Sequence, residues 1–352
     1  MVKLFYKDKQ AIGLDISQTG VKVMAVNSKK WIVQGYGSID LDPDKIQNSL
    51  DSDDQTYLTD SVKSLLTEHL IGELPSNHVA IGLPTQRSFS HTFTLPTKEE
   101  KRLVNAVEIE VEQYIPIPMA SLYVSYEVIE RTDKQIRVVM SAIPKQLVDV
   151  ALAVARDAGL RPVMIEPSIN AVARVLEATE DANMTTLVID IGQASTDIAV
   201  LDQGANRVSG SIGIGGNTFT LKIAEKLNVP LDNAHQMKVL HGLEPGQHQA
   251  KLHRALDGSL QKIAGDVRKI IRYYTERLDS GRKIEQVLIV GAGSNVPGIG
   301  EYFTNNLTMP ARVAAPWQKL DFGSLHQPSK QFRPRYITVA GLASIDYERL
   351  WK

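Results

Sequence analysis

The sequence predicts a two-lobed α/β protein with a subdomain inserted into its first lobe. Three observations carry this expectation. AIGLDISQTGVKVMAVN, from Ala11, is repeated in pattern by TLVIDIGQASTDIAVLD, from Thr186: an apolar run, Asp15 or Asp190, an isoleucine, a small residue, Gln18 or Gln193, hydroxyls, and a second apolar run. Between the copies, residues 86–162 carry strand and helix patterns of their own before the chain returns to the first lobe at VMIEPS. No low-complexity linker separates the pieces, so the lobes are expected to share an interface and hinge as two bodies.

Each copy of the repeat is followed by a polar turn, NSKK or DQGAN, and a further strand-like stretch, WIVQGYGSIDL or RVSGSIGIGG. A meander of three strands therefore heads each lobe. Within 86–162, TFTLP reads as a strand. Thr97 with Glu100 reads as a capping box opening a helix through Tyr114, with Leu103, Val107 and Val111 on one stripe and Pro116 beyond its end. LYVSYEVIE and QIRVVMSAIP follow as strands, and KQLVDVALAVARDAG as an amphipathic helix stopped by Gly159. Asn217 to about Asp279 reads as mostly helical, its long helix carrying DVRKIIRYYTERL. Finally VLIVGAGSNVPGIGEYF, residues 287–303, runs a strand into Gly291, Gly293 and Ser294, then a helix. Glycines there let backbone approach a flat ligand closely.

Composition narrows the function classes. The 352 residues are 43% hydrophobic and 22% charged, enough for a sizeable core. Lysine plus arginine number 39 against 40 acids, so no whole-chain field favours nucleic acid or an anionic membrane. The absence of cysteine removes disulfides and thiolate metal sites and suits a reducing cytoplasm. MVKLFYKDKQ is too short and too charged for a signal peptide, and no apolar run approaches the roughly 18 residues of a membrane span. Val2, Leu4, Phe5 and Tyr6 are compatible with a bilayer contact or with a frayed terminus. His248 and His253 lack the i, i+4 spacing of a zinc pair. The P-loop, the G-x-G-x-x-G fingerprint and G-x-S-x-G are all absent.

What remains is the chemistry of the two hairpins. A tight turn rich in Gly, Ser and Thr offers successive backbone N–H groups and hydroxyls, a concave array suited to phosphate oxygens. An aspartate at its root repels phosphate unless a divalent cation stands between them, commonly Mg²⁺ with retained waters. Two such hairpins facing each other would close on a phosphate tail. The first would contribute Asp15, Ser17, Gln18, Thr19 and Lys22; the second Asp190, Gly192, Gln193, Ser195, Thr196 and Asp197. Asp15 and Asp190 would hold the metal through water. Arg268, Lys269 and Arg272 would either place a cation beside a bound adenosine or form a solvated helix face.

These residues together resemble the actin-like ATPase superfamily, a ribonuclease H-like fold. Asp15 to Lys22 resembles its first phosphate motif, DIGQAST from Asp190 its second, and Gly291 to Gly298, with Gly293 and Ser294, its adenosine motif. EPSINAVARVL from Glu166 resembles the first connecting helix, YITVAGLAS from Tyr336 the second, and Gly215, Gly216 and Asn217 the glycine-rich bend into the second lobe's smaller subdomain. The resemblance implies ATP and Mg²⁺ as ligands. It also implies four subdomains: 1A from 10–85, 163–185 and 335–352; the partner-binding 1C from 86–162; 2A from 186–217 and 283–334; and 2B from 218–282.

Within that superfamily the chain resembles the PilM family of type IV pilus assembly proteins, on LFYKDKQAIGLDISQTGVKVMAV, NAVEIEVEQYIPIPMASLYVSYEVI, MIEPS and VIDIGQASTDIAV. This implies a cytoplasmic platform beneath the inner membrane, gripping the amino-terminal tail of an inner-membrane partner, PilN, in a groove beside the insert. Contact with pilus motor ATPases is also implied, and self-association stays open. Ile115 to Met119 would supply the groove or simply make a turn. Glu166 is the candidate for orienting a catalytic water, but no separate general base is marked, so slow or negligible turnover is expected. The sequence ends soon after the second connecting helix, without the amphipathic tail of the cell-division protein FtsA, so membrane contact is expected through a partner. A filament-forming FtsA-type protein and a sugar kinase of the same fold are the alternatives.

Overall fold

Apolar alternation builds the two main sheets and decides which side of each strand meets which layer. The computed structural model describes residues 10–52, 54–278 and 281–345. The readings for Val2 to Tyr6, Asp279 and the last seven residues lie outside them.

The chain runs β1 (Ile12–Ser17), β2 (Gly20–Asn27), β3 (Ile32–Asp40), α1 (Pro43–Asp51), α2 (Thr56–Glu68), β4 (Leu70–Gly72), β5 (His78–Leu83) and β6 (Phe89–Pro96). It continues through α3 (Leu103–Tyr114), β7 (Leu122–Arg131), β8 (Gln135–Pro144), α4 (Lys145–Asp157), β9 (Arg161–Pro167), α5 (Ser168–Thr179), β10 (Thr186–Ile191), β11 (Thr196–Asp202) and β12 (Ala205–Ile212). The remainder is α6 (Gly216–Leu227), α7 (Leu231–Leu240), α8 (Gln249–Arg277), β13 (Gln286–Val290), α9 (Ile299–Leu307), β14 (Ala311–Val313) and α10 (Ile337–Ala343).

Three sheets form: β4-β3-β2-β1-β5-β9, β12-β11-β10-β13-β14, and β6-β8-β7. The first two share a plan. β1 lies antiparallel to β2 and parallel to β5, just as β10 lies antiparallel to β11 and parallel to β13. Ile12, Leu14 and Ile16 of β1 face a core shared with α1, α2 and α4, while Leu187, Ile189 and Ile191 of β10 face one shared with helices α6, α8 and α9. Because strand side chains alternate with period two, Asp15 and Asp190 point the other way, toward the layer between the sheets. That layer is α5 and α10. Its core joins Met24 and Val26 of the first sheet to Val188, Leu288 and Val290 of the second through Val172, Val175, Val339 and Ala340. The interface expected between the lobes is thus a buried apolar core.

The third sheet packs α3 over its own core, with Val107 and Val111 against Ile136, Val138 and Met140. Two sequence expectations need correction here. Residues 97–102 form a 3₁₀ turn and α3 starts at Leu103, with no side-chain cap. Thr97 Oγ1 instead donates to the Thr132 carbonyl at 3.0 Å, and Glu100 pairs with Arg131, because the β7–β8 turn comes within reach of both. Helix α4, expected within the insert, buries Leu147, Val150, Ala151 and Val154 in the first-lobe core.

Candidate functional site

Strand register assembles the site. Asp15 pairs with Lys22 across β1 and β2, and Asp190 with Asp197 across β10 and β11, so each hairpin puts two charged groups at the carboxyl end of its sheet. Open α/β sheets bind ligands beyond that end. Lys22 Nζ lies 2.8 Å from Asp15 Oδ2, the side chains only 8% and 5% exposed, and Ser168 Oγ donates to Asp15 Oδ1 at 3.2 Å. Asp197 Oδ1 accepts from Ser211 Oγ at 2.5 Å.

Three carboxylates, Asp15, Asp190 and Asp197, stand against Lys22 and Arg335, so the cleft holds one more acid than base. Burial, then the charges of Asp197 and Asp15, push the Asp190 carboxyl up to about 7, with Lys22 opposing. Asp197 is pushed up to about 6 by burial, against hydroxyl hydrogen bonds from Ser211 and Thr85. Such a site favours a cation that relieves the repulsion.

Of the residues expected, Asp15, Ser17, Gln18, Thr19, Lys22, Asp190, Gly192, Gln193, Ser195, Asp197 and Gly291 line the cleft. Pro84, Ser168, Ala194, Ala292, Pro334, Arg335 and Thr338 complete it. Gln193 crosses it: its Oε1 accepts from Thr19 Oγ1 at 2.8 Å and from Arg335 Nη2 at 3.2 Å. With the lobes so joined the cavity measures about 100 Å³. Ordinary ligand pockets are roughly 300–1,000 Å³, so the cleft in this arrangement is smaller than most.

Other expected residues act behind the lining. Gly216 and Asn217 donate their backbone N–H groups to the Gly192 and Gln193 carbonyls, both at 2.9 Å, pinning the second turn. A Cβ on Gly215 would stand 2.6 Å from the Gln193 carbonyl oxygen. Thr196 is fully buried and donates to the Ile214 carbonyl. Ser294 Oγ donates to the Gly291 carbonyl, and Gly293 packs against Ile191, where a Cβ would meet Cγ2 at 2.3 Å. Gly291 holds φ at 85°, and a Cβ there would come within 2.2 Å of Asp190 Oδ1. Only glycine lets the third turn pass that carboxylate.

Glu166 is absent from the cleft. Its carboxylate takes both terminal nitrogens of Arg174 at 2.8 Å, and Arg174 also donates to the Gly341 carbonyl at 2.7 Å. Arg174 thereby ties β9 and α5 to α10, and Glu166 serves that structural pair in place of the expected water-orienting role. Arg268, Lys269 and Arg272 are exposed while Tyr274 is buried, which is the solvated-face alternative. Ile115, Ile117 and Met119 pack into the insert's core, leaving Tyr114, Tyr123 and Tyr126 as its exposed aromatics. Sequence reasoning missed Ser168, Arg335 and Lys238. Lys238 is buried behind the glycine bend, donating to the Gly216 carbonyl at 2.9 Å, and burial brings its ammonium down to about 8. Ser168 had a signal in directly following the Glu166–Pro167 pair, whereas Arg335 and Lys238 had none. Among the described residues no group of three or more His, Asp or Glu is placed to ligate a metal directly, and no helix is long and apolar enough to cross a membrane.

Two lobes with matched hairpins meeting over a pair of connecting helices define an actin-like ATPase fold. Solved structures agree: MreB5 of Spiroplasma citri bound to ADP is 16% identical with a TM-score of 0.54, each chain covered to 95%. A PilM–PilN type IV pilus biogenesis complex gives a TM-score of 0.78 at 22% identity, covering 95% of this chain and 97% of that one. The family model for type IV pilus assembly protein PilM matches residues 13–346, and the chain belongs to that family. It is also 28% identical over 204 residues to the cell-division protein FtsA of Neisseria meningitidis serogroup B, and 25% over 189 residues to that of Borreliella burgdorferi. These matches take in 51% and 48% of this chain but 46% and 45% of the relatives, so the chain spans just under half the length of the curated relatives it matches.

Proposed function

We propose that this chain binds magnesium–ATP in the interlobe cleft and acts in type IV pilus assembly as a cytoplasmic platform, held at the inner membrane by the amino-terminal tail of a PilN-type partner. The observation that carries the nucleotide reading is that Asp15 and Asp190, root residues of the two matched hairpins, line one opening. The residues fit the ligand. Ser17, Gln18, Thr19, Gln193 and Ser195 supply neutral donors, Lys22 and Arg335 supply positive charge, and Gly291 leaves the gap that a Cβ would fill. Asp15 and Asp190 would hold magnesium through its waters, and the metal would supply neutralisation of phosphate charge. With Glu166 committed to Arg174, we infer slow or negligible turnover. The likeness to a PilM–PilN complex and membership of the PilM family support the partner, and pilus motor ATPases are further candidates.

The test is direct binding. A fluorescent ATP analogue with magnesium should bind the full chain and weaken at least about tenfold, ~1.4 kcal/mol, in Asp190→Ala or on chelation of magnesium. A synthetic PilN-type tail peptide should then bind with an affinity that differs between nucleotide-loaded and nucleotide-free protein, since coupled sites act reciprocally. Equal analogue affinity in parent and variant would refute the cleft reading; an equal peptide affinity would refute the coupling alone.

A further inference from the structure

The inserted sheet leaves the first lobe at Pro84 and returns to it at Lys145, yet its strand β6 is fastened to the second lobe. Thr92 is 4% exposed, and its Oγ1 donates to the Arg207 carbonyl on β12 at 2.6 Å. Next to it, His91 Nδ1 lies 2.9 Å from the hydroxyl of Tyr273 on the long helix α8. The His91 ring is fixed from the insert's side, stacked on Tyr114 at 3.8 Å with Nε2 3.2 Å from Glu110 Oε2.

Against the first lobe the inserted sheet buries Ile143, at the foot of β8 beside Pro144, in the first-lobe core, and above that foot the contacts lie at the surface: Arg87 pairs with Asp51, Tyr123 Oη donates to Asp149 Oδ1 at 3.0 Å, and Lys145 Nζ stands 5.6 Å from the Tyr123 ring. Exposed contacts exchange readily with solvent, whereas a buried hydroxyl separated from its carbonyl is left unsatisfied. Both covalent stems pass through a proline in extended backbone just before a helical turn, Pro84 (φ −54°, ψ 123°) and Pro144 (φ −53°, ψ 130°). Element-terminal positions of this sort absorb hinge rotation.

The segments that meet at the clasp also meet at the cleft. β12 carries Ser211 to Asp197, and the stem into β6 carries Thr85, whose hydroxyl hydrogen-bonds Asp197 and also accepts the Ile169 N–H at 3.1 Å. Gln86 receives the Gln18 amide from the first turn at 2.5 Å.

We propose that His91 and Thr92 form a clasp that makes the insert ride on the second lobe, so that a change of lobe angle at the cleft carries the insert away from the first lobe. The nucleotide dependence rests on the cleft reading above; the clasp itself does not. The chain has no cysteine, so spin labels can be placed in pairs on the full-length protein at Lys101→Cys in the insert, Lys63→Cys in the first lobe and Lys262→Cys in the second, all exposed. In nucleotide-free protein the insert–second-lobe distances should form a narrow peak and the insert–first-lobe distances a broader one. The double variant Thr92→Val with Tyr273→Phe, which removes two hydroxyls and little volume, should lose the narrow peak while the lobe-to-lobe distribution stays put; His91→Ala is the second variant if the first folds poorly.

Equal widths to both lobes in the parent, or a narrow peak surviving in a folded clasp variant, would overturn the clasp. With magnesium–ATP added, the insert–first-lobe and lobe-to-lobe distances should shift together while the insert–second-lobe distance holds. A lack of nucleotide binding would overturn the cleft reading, leaving the nucleotide-free widths to decide the clasp.

Discussion

Asp190 and Asp197 face each other across one strand pair with Asp15 nearby, and Lys22 opposes their mutual repulsion. Their carboxyls move from an ordinary 3.8 up to about 7 and about 6. Between about pH 4 and 7 these two groups therefore hold more protons in the nucleotide-free folded chain than in the unfolded one, and their contribution to stability falls as pH rises through that window, against the opposite trend of His91 and His235, whose imidazoles burial shifts down. Thermal melts near pH 5.5 and 8 should show the higher midpoint at the lower pH, and Asp190→Asn should shrink the difference. A difference that Asp190→Asn leaves unchanged would contradict the proton-holding assignment. At this scale the sequence was most readable where chemistry is local: Asp15 and Lys22 were expected on one hairpin at the cleft, and the two-residue turn between their strands sets them opposite each other. Arg335 was not readable, since nothing within its own segment says that Gln193, far away in the chain, will be its partner.

Elements were legible wherever alternation or a helical stripe was strong, as in both three-strand meanders and the helices after Asn217. They were misread where a tertiary neighbour outcompeted a local signal. Thr97 has the right residue three positions on for a capping box, yet a carbonyl from the adjoining turn claims its hydroxyl. Helix α4 follows directly from an insert strand, but its apolar face matches the first-lobe core. Contact between α5 and α10 depends on Gly341, where a Cβ would stand 2.0 Å from the Ala171 carbonyl oxygen. Alanine would gain about 1 kcal/mol of helix propensity, but forcing the helices apart should cost about 1–3 kcal/mol. Gly341→Ala is thus expected to lower the denaturation midpoint in urea at unchanged slope. An unchanged or higher midpoint would mean that the helix pair has room the geometry denies.

At the scale of the whole molecule, the two sheets share one apolar layer, so the lobes are not independent folding units. Calorimetry should give a single transition with equal calorimetric and van't Hoff enthalpies, a behaviour that chains of separable domains depart from. Two resolved transitions would show that the shared layer binds the halves too weakly to matter. The general plan of two lobes was written in the repeated hairpin, while the closed cleft was not, because the Thr19–Gln193–Arg335 bridge depends on how the halves settle against each other. The layer of α5 and α10 also limits what motion is allowed. With Met24 and Val188 seated in the same dry seam, the halves cannot draw apart at their base, and admission of a ligand must come from a pivot about that seam, as covers turn on the spine of a book.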